Sequence, residues 1–131
     1  MRVLNWLPAF TFAGLIFLVS HQQEPPGAVV IDLVSDYILH FAAYGVLGLC
    51  LAWGATQGLR QRLSGRMALL MILIGMLYGA SDEWHQSFVP GRTTSFSDWA
   101  ADSLGAAASI LGWLFYQVRS LRRSQRMKST Q

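Results

Sequence analysis

Residues 37–56 read YILHFAAYGVLGLCLAWGAT. The run contains no Asp, Glu, Lys or Arg. An α-helix of roughly 20 residues crosses the hydrocarbon core of a bilayer. A chain inside that core must satisfy its own backbone hydrogen bonds, so the stretch predicts a transmembrane helix. The rest of the chain agrees with it. Of 131 residues, 53% are hydrophobic and only 13% charged, with a mean hydropathy of +0.35. A soluble domain carries about 25% charged residues, so the composition predicts one small membrane domain.

Three further apolar segments flank this one: about 3–20, about 67–86 and about 98–118. The first starts after a single basic residue, Arg2, and ends in LVSHQQ rather than a small-residue cleavage site, so it reads as a retained helix. The third reaches full length only if its helix continues through DEWHQ, which puts Asp82, Glu83 and Gln86 in its last turns. Residues 1–118 form a single transmembrane domain on this reading, and residues 119–131 a basic cytoplasmic tail. The fold class is all-α, a four-helix transmembrane bundle. Gly75 and Gly79, with Ala101, Gly105, Ser109 and Gly112, set small residues at one-turn spacing for close helix contact. Cys50 is the only cysteine and lies in an apolar run, so there is no disulfide framework and the thiol is expected to be buried and inert.

Charge placement orients the bundle. Arg2, Arg60, Arg62, Arg66, Arg119, Arg122, Arg123, Arg126 and Lys128 fall before, between or after spans on one side. By the positive-inside rule that side is cytoplasmic, with both termini inside. All seven acids, Glu24, Asp32, Asp36, Asp82, Glu83, Asp98 and Asp102, fall at or near the other face. The net charge of +3 is therefore a topology signal placed near anionic lipid, not a nucleic-acid surface. Trp84 and Trp99 are expected at the outer interface, and Trp6, Trp53 and Trp113 nearer the inner one.

The acidic end carries the candidate chemistry. Asp36, His40 and Tyr44 recur every four residues and share one helix face. Asp82 and Gln86 share a face of the third helix, with Glu83 beside it. Asp98 and Asp102 share a face of the fourth. Asp98 suits a helix cap as well as a site; Asp102 is too deep for capping. Pro90-Gly91 turns the chain and holds Arg92 near four acids. Arg92 either pairs with Glu83 or Asp98 or grips an anionic ligand, a phosphate or carboxylate. Carboxylates crowded in a low dielectric need a shared proton or a cation, which suits general acid–base work by Glu83, Asp82 and His40. His40, Asp82, Glu83, His85, Asp98 and Asp102 also offer metal ligands, but their spacing matches no established motif, so no metal is assigned. No GxSxG accompanies the serines, and no cofactor is identified.

Two stretches resemble the VanZ-like family of small bacterial membrane proteins. One is DYILHFAAYGVLG, residues 36–48; the other is DEWHQSFVPGRTTSFSDWAADSLG, residues 82–105. The family pattern corresponds to Asp36, His40-Phe41, Tyr44 and Gly48, then Asp82-Glu83, Gln86, Phe88 and Pro90-Gly91-Arg92, then Ser95, Asp98, Asp102 and Gly105. Two positions depart from it: Tyr37 stands where the family often has Lys, and Asp102 where it often has Asn. The resemblance implies an envelope protein of the inner membrane, linked by the family's name to teicoplanin resistance. The expected ligand is a membrane lipid or lipid-linked envelope precursor, gripped by Arg92 with Asp36, Tyr44, Gln86, Asp98 and Asp102. Three roles compete: ligand binding, catalysis at the same place, and a scaffold whose polar cluster fixes helix register. The reaction, if any, and the oligomeric state are not legible in the residues.

Overall fold

A computed structural model describes residues 3–23 and 36–129. Among the described residues the chain is four α-helices without strands: α1 (Leu7–Ser20), α2 (Asp36–Ala55), α3 (Gly65–Gln86) and α4 (Phe96–Ser129). A short 3₁₀ turn, Val3–Trp6, leads into α1, whose first turn accepts Pro8 because an N–H, which proline lacks, would have no helical partner there. Ser64 starts α3, its hydroxyl accepting from the Met67 N–H at 3.2 Å. At the other end of α2, Gln57, Gly58 and Leu59 all take left-handed φ, which stops the helix and reverses the chain.

Three of these segments, Val3–Ser20, α2 and α3, are long and apolar enough to cross a membrane. The expected fourth span lies within α4, which runs on through Ser129 without a break. Its apolar character is diluted by Asp98, Asp102 and a run of Ala, Gly and Ser. The bundle also wears its large apolar side chains outward: Phe10, Leu18, Leu69, Leu70, Leu77, Leu104 and Phe115 are all exposed. Asp82, Glu83, Gln86 and Asp102 are buried instead. That inversion suits a lipid surround.

The helices alternate in direction. Ser20 at the end of α1 bonds Asp82 near the end of α3, and His40 near the start of α2 bonds Asp102 near the start of α4. At the opposite end the Leu63 N–H donates to Gln117 of α4, and Trp6 packs over Gly54 of α2. Tyr78 ties α3 to α1 midway, its hydroxyl donating to the Ala13 carbonyl at 2.6 Å.

The closest packing is α2 against α4. The Gly105 Cα faces the Phe41 carbonyl and the Gly45 N–H, and Gly48 faces Ala106 and Ser109. Gly75 meets Ala106 from the α3 side. The expected small-residue contacts therefore form at Gly75, Gly79, Gly105 and Ser109. Gly112 does not join them: nothing approaches it, because it lies on the outer side of α4. The partners on α2, Gly45 and Gly48, carry half of the contact, and their spacing of three residues hid them among larger apolar neighbours. Cys50 is only partly buried. Trp84 is exposed, whereas the Trp99 indole N–H donates to the Met76 carbonyl and so joins α4 to α3.

Arg60, Arg62, Arg66 and Arg119 are all exposed at the end away from the buried acids. Arg2, Glu24 and Asp32 lie outside the described residues, as do the side chains of Arg122, Arg123, Arg126 and Lys128.

Candidate functional site

The helix ends that carry acids converge. His40 lies at the centre of the group. Its Nδ1 stands 2.9 Å from Asp102 Oδ1, and its Nε2 is 3.9 Å from Asp36 Oδ1 one turn earlier. With Asp102 ionised, Nδ1 holds the hydrogen and donates it. Nε2 is then free to accept a proton on the side facing Asp36. The side chain of Asp102 is fully buried, that of His40 is 14% exposed and that of Asp36 is 50% exposed. The three groups thus form a file from the interior to the surface.

Glu83 enters the same space from α3. Its Oε2 accepts from the Ser95 N–H at 2.9 Å, which ties the α3–α4 loop to the buried end of the bundle. Its Oε1 is buried without a partner, and so are Asp102 Oδ2 and the Tyr44 hydroxyl. Tyr44 is 1% exposed, and its hydroxyl is within electrostatic reach of Asp82, Asp102 and Glu83. Gly79 makes room for this group: a Cβ there would stand 3.1 Å from the Asp102 Cβ and 3.4 Å from the Tyr44 ring.

Asp82 plays another part. Its Oδ2 accepts from the Ser20 hydroxyl at 2.9 Å and from the Gln86 amide at 3.2 Å. Asp82 and Gln86 therefore bind α1 to α3 with both groups partnered. Ser20 carries this tie and was not singled out by the sequence, where it is only the last polar residue of an apolar run. Next to it, His21 Nδ1 lies 3.2 Å from His85 Nε2, with the Phe17 ring stacked on His21 and tilted against His85. That pair also escaped the sequence reading, because 64 residues separate its members.

Asp98 and Arg92 lie at the rim. Asp98 is half-buried and within electrostatic reach of His40, Asp36 and Arg92. Arg92 is half-buried beyond the left-handed turn at Gly91. It forms no ion pair with a described carboxylate, and its Nε is buried without a partner. Of the two alternatives for Arg92, the pairing with Glu83 or Asp98 is thus not made among the described residues.

The predicted site residues fall into three sets. His40, Tyr44, Glu83 and Asp102 share one buried space; Asp36, Asp98 and Arg92 border it; Asp82 and Gln86 form a separate tie. The arrangement can orient an imidazole, pass a proton from rim to interior and present a cation to an anionic group. Two subsets also bring one potential metal-ligand atom per residue within 4.8 Å of one another: His40, Glu83 and Asp102, and Asp36, His40 and Asp98.

Residues 2–118 match the family model described as VanZ/LLP1, and the chain belongs to that family. No curated protein and no solved structure matches the chain significantly.

Proposed function

We propose that this VanZ/LLP1 protein crosses the bacterial cytoplasmic membrane four times, with both termini inside. On this reading its polar end lies at the extracytoplasmic leaflet. There it binds or processes an anionic lipid or lipid-linked cell-envelope precursor. The positive-inside rule supports the orientation, since the described arginines other than Arg92 gather at the opposite end.

One observation carries the ligand class. Arg92 is the described arginine at the acidic end, and it is half-buried with Asp98 within electrostatic reach but no ion pair to a described carboxylate. A guanidinium forks onto phosphate or carboxylate oxygens. Held beside the mouth of a membrane-embedded cluster, it is placed for a headgroup anion. Glu83 is the better acid–base candidate than Asp82, whose carboxylate is spent on Ser20 and Gln86. His40 relays protons between Asp102 and Asp36. Asp36, Tyr44, Asp98 and Asp102 line the site, while Gln86 supports it from the Asp82 tie. The resemblance to a family named for teicoplanin resistance supports an envelope role for such an activity.

The Ser20–Asp82–Gln86 tie favours a second reading, a non-catalytic bundle whose polar groups fix helix register. The two separate in native mass spectrometry of delipidated protein. Phosphatidylglycerol and a polyprenyl phosphate should bind in preference to phosphatidylcholine, and Arg92→Met should abolish that preference without changing the fold. Equal binding of anionic and zwitterionic lipids by the wild type would leave the scaffold reading.

A further inference from the structure

The buried half of the cluster is rich in oxygen and poor in hydrogen. Glu83 Oε1 and Asp102 Oδ2 are acceptors without donors, and the Tyr44 hydroxyl beside them is also unpartnered. All three residues are more than nine-tenths buried, at 8%, 0% and 1% exposure. A buried polar group left unsatisfied costs about 1–3 kcal/mol, and hydrocarbon offers no water to relieve it. Two buried carboxylates with acceptor atoms left unpartnered call for positive charge.

We propose that His40, Glu83 and Asp102 bind a divalent transition-metal ion of the zinc class, with the Tyr44 hydroxyl at its side. A His40 nitrogen and one carboxylate oxygen from each acid already lie within 4.8 Å of one another. Bonds of about 2.0–2.1 Å around a four-coordinate zinc set ligand atoms about 3.4 Å apart. Small side-chain rotations reach that spacing, and where His40 Nδ1 is the ligand atom the hydrogen it shares with Asp102 leaves to solvent as the metal binds. The imidazole selects zinc over magnesium or calcium, which prefer all-oxygen shells. Three protein ligands leave a fourth position open, as in zinc sites that bind water or substrate. Asp36 and Asp98, grouped with His40 at the exposed rim, supply an entry path from water. Gly79 keeps the space clear, since any side chain there would press on Asp102 and Tyr44.

This site shares residues with the function proposed above but does not depend on it, because metal binding is read without lipid. The full chain, purified in detergent and stripped with EDTA, is titrated with Zn²⁺, Mn²⁺ and Mg²⁺ by calorimetry. Bound metal is counted by elemental analysis after gel filtration. One Zn²⁺ per chain is expected, bound more tightly than Mg²⁺. Glu83→Gln and Asp102→Asn should each weaken it by about a hundredfold or more, since loss of a mere supporting partner costs 10–100-fold. His85→Gln should leave it unchanged, which separates the buried site from the His21–His85 pair. Should Asp102→Asn not fold, Glu83→Gln decides, since its amide oxygen can still accept from Ser95. The proposal is overturned by no stoichiometric Zn²⁺ on the wild type, by preference for Mg²⁺, by unchanged binding in Glu83→Gln, or by loss in His85→Gln.

Discussion

Gly105→Ala adds one methyl group where α4 crosses α2. A Cβ at residue 105 would run into the Phe41 carbonyl and stand 3.1 Å from the Gly45 backbone nitrogen. The obstacle is backbone, so no side chain can rotate away and the two helices must separate. Overpacking a close-packed site costs about 1–3 kcal/mol, and a rigid obstacle belongs at the upper end. Against this, Ala favours a helix over Gly by about 1 kcal/mol. The net expectation is a loss of about 2 kcal/mol. Gly112→Ala supplies the matched control on the same helix. Nothing lies within 4 Å of its added Cβ, so only the propensity acts and a gain of up to about 1 kcal/mol is expected. Reversible unfolding in mixed SDS and mild-detergent micelles, followed by circular dichroism, reads both. The two variants should differ by about 3 kcal/mol. Because Phe41 follows His40, Gly105→Ala should also disturb the His40–Asp102 pair and weaken ligand binding, whereas Gly112→Ala should not. If Gly105→Ala is as stable as Gly112→Ala, the α2–α4 approach is not what sets the geometry of the site.

Further outcomes follow from other contacts. Ser64→Ala removes the hydroxyl that starts α3 and should cost about 1 kcal/mol in the same assay; Ser64→Asp should restore most of it. His40→Gln and Asp102→Asn, combined in a double-mutant cycle under EDTA, should show a coupling of about 1–3 kcal/mol; additive effects would mean the two side chains do not act as a pair. Loss of the Tyr78 hydroxyl in Tyr78→Phe should cost about 1 kcal/mol, measured by the same unfolding. A C-terminal green fluorescent protein fusion should fluoresce and a C-terminal alkaline phosphatase fusion should be inactive; the reverse would invert the proposed topology.

Much of the fold follows from local patterns. Apolar runs of membrane length named the helices, and the third run was long enough only if Asp82, Glu83 and Gln86 belonged to it, as they do in α3. The four-residue rhythm of Asp36, His40 and Tyr44 placed them on one face. What the pattern could not supply was rotation. His40 and Asp102 are 62 residues apart, and their pairing depends on how α2 and α4 turn about their axes. The same uncertainty put Gly112 in the packing stripe and left Gly45 and Gly48 out of it. Asp82 and Glu83 look alike in sequence, yet adjacent positions on a helix point about 100° apart. One therefore meets Ser20 on α1 and the other meets Ser95 before α4. For Arg92 the residues left pairing with Glu83 or Asp98 and gripping an anion both open; beyond the Gly91 turn it comes within electrostatic reach of Asp98 without forming an ion pair.

Glu83 holds two regions at once. Its Oε2 secures the loop that bears Arg92, while its Oε1 faces the buried oxygens. A carboxylate has one negative charge to divide between two atoms. A proton or ion drawn to Oε1 therefore weakens the hold of Oε2 on the Ser95 amide. The converse must hold to the same extent, because linkage is reciprocal. Loss of the Ser95 contact would thus favour positive charge at Oε1, and positive charge at Oε1 would weaken the Ser95 contact. A cation at Oε1 and the strength of the Ser95 contact would on this linkage be measured together.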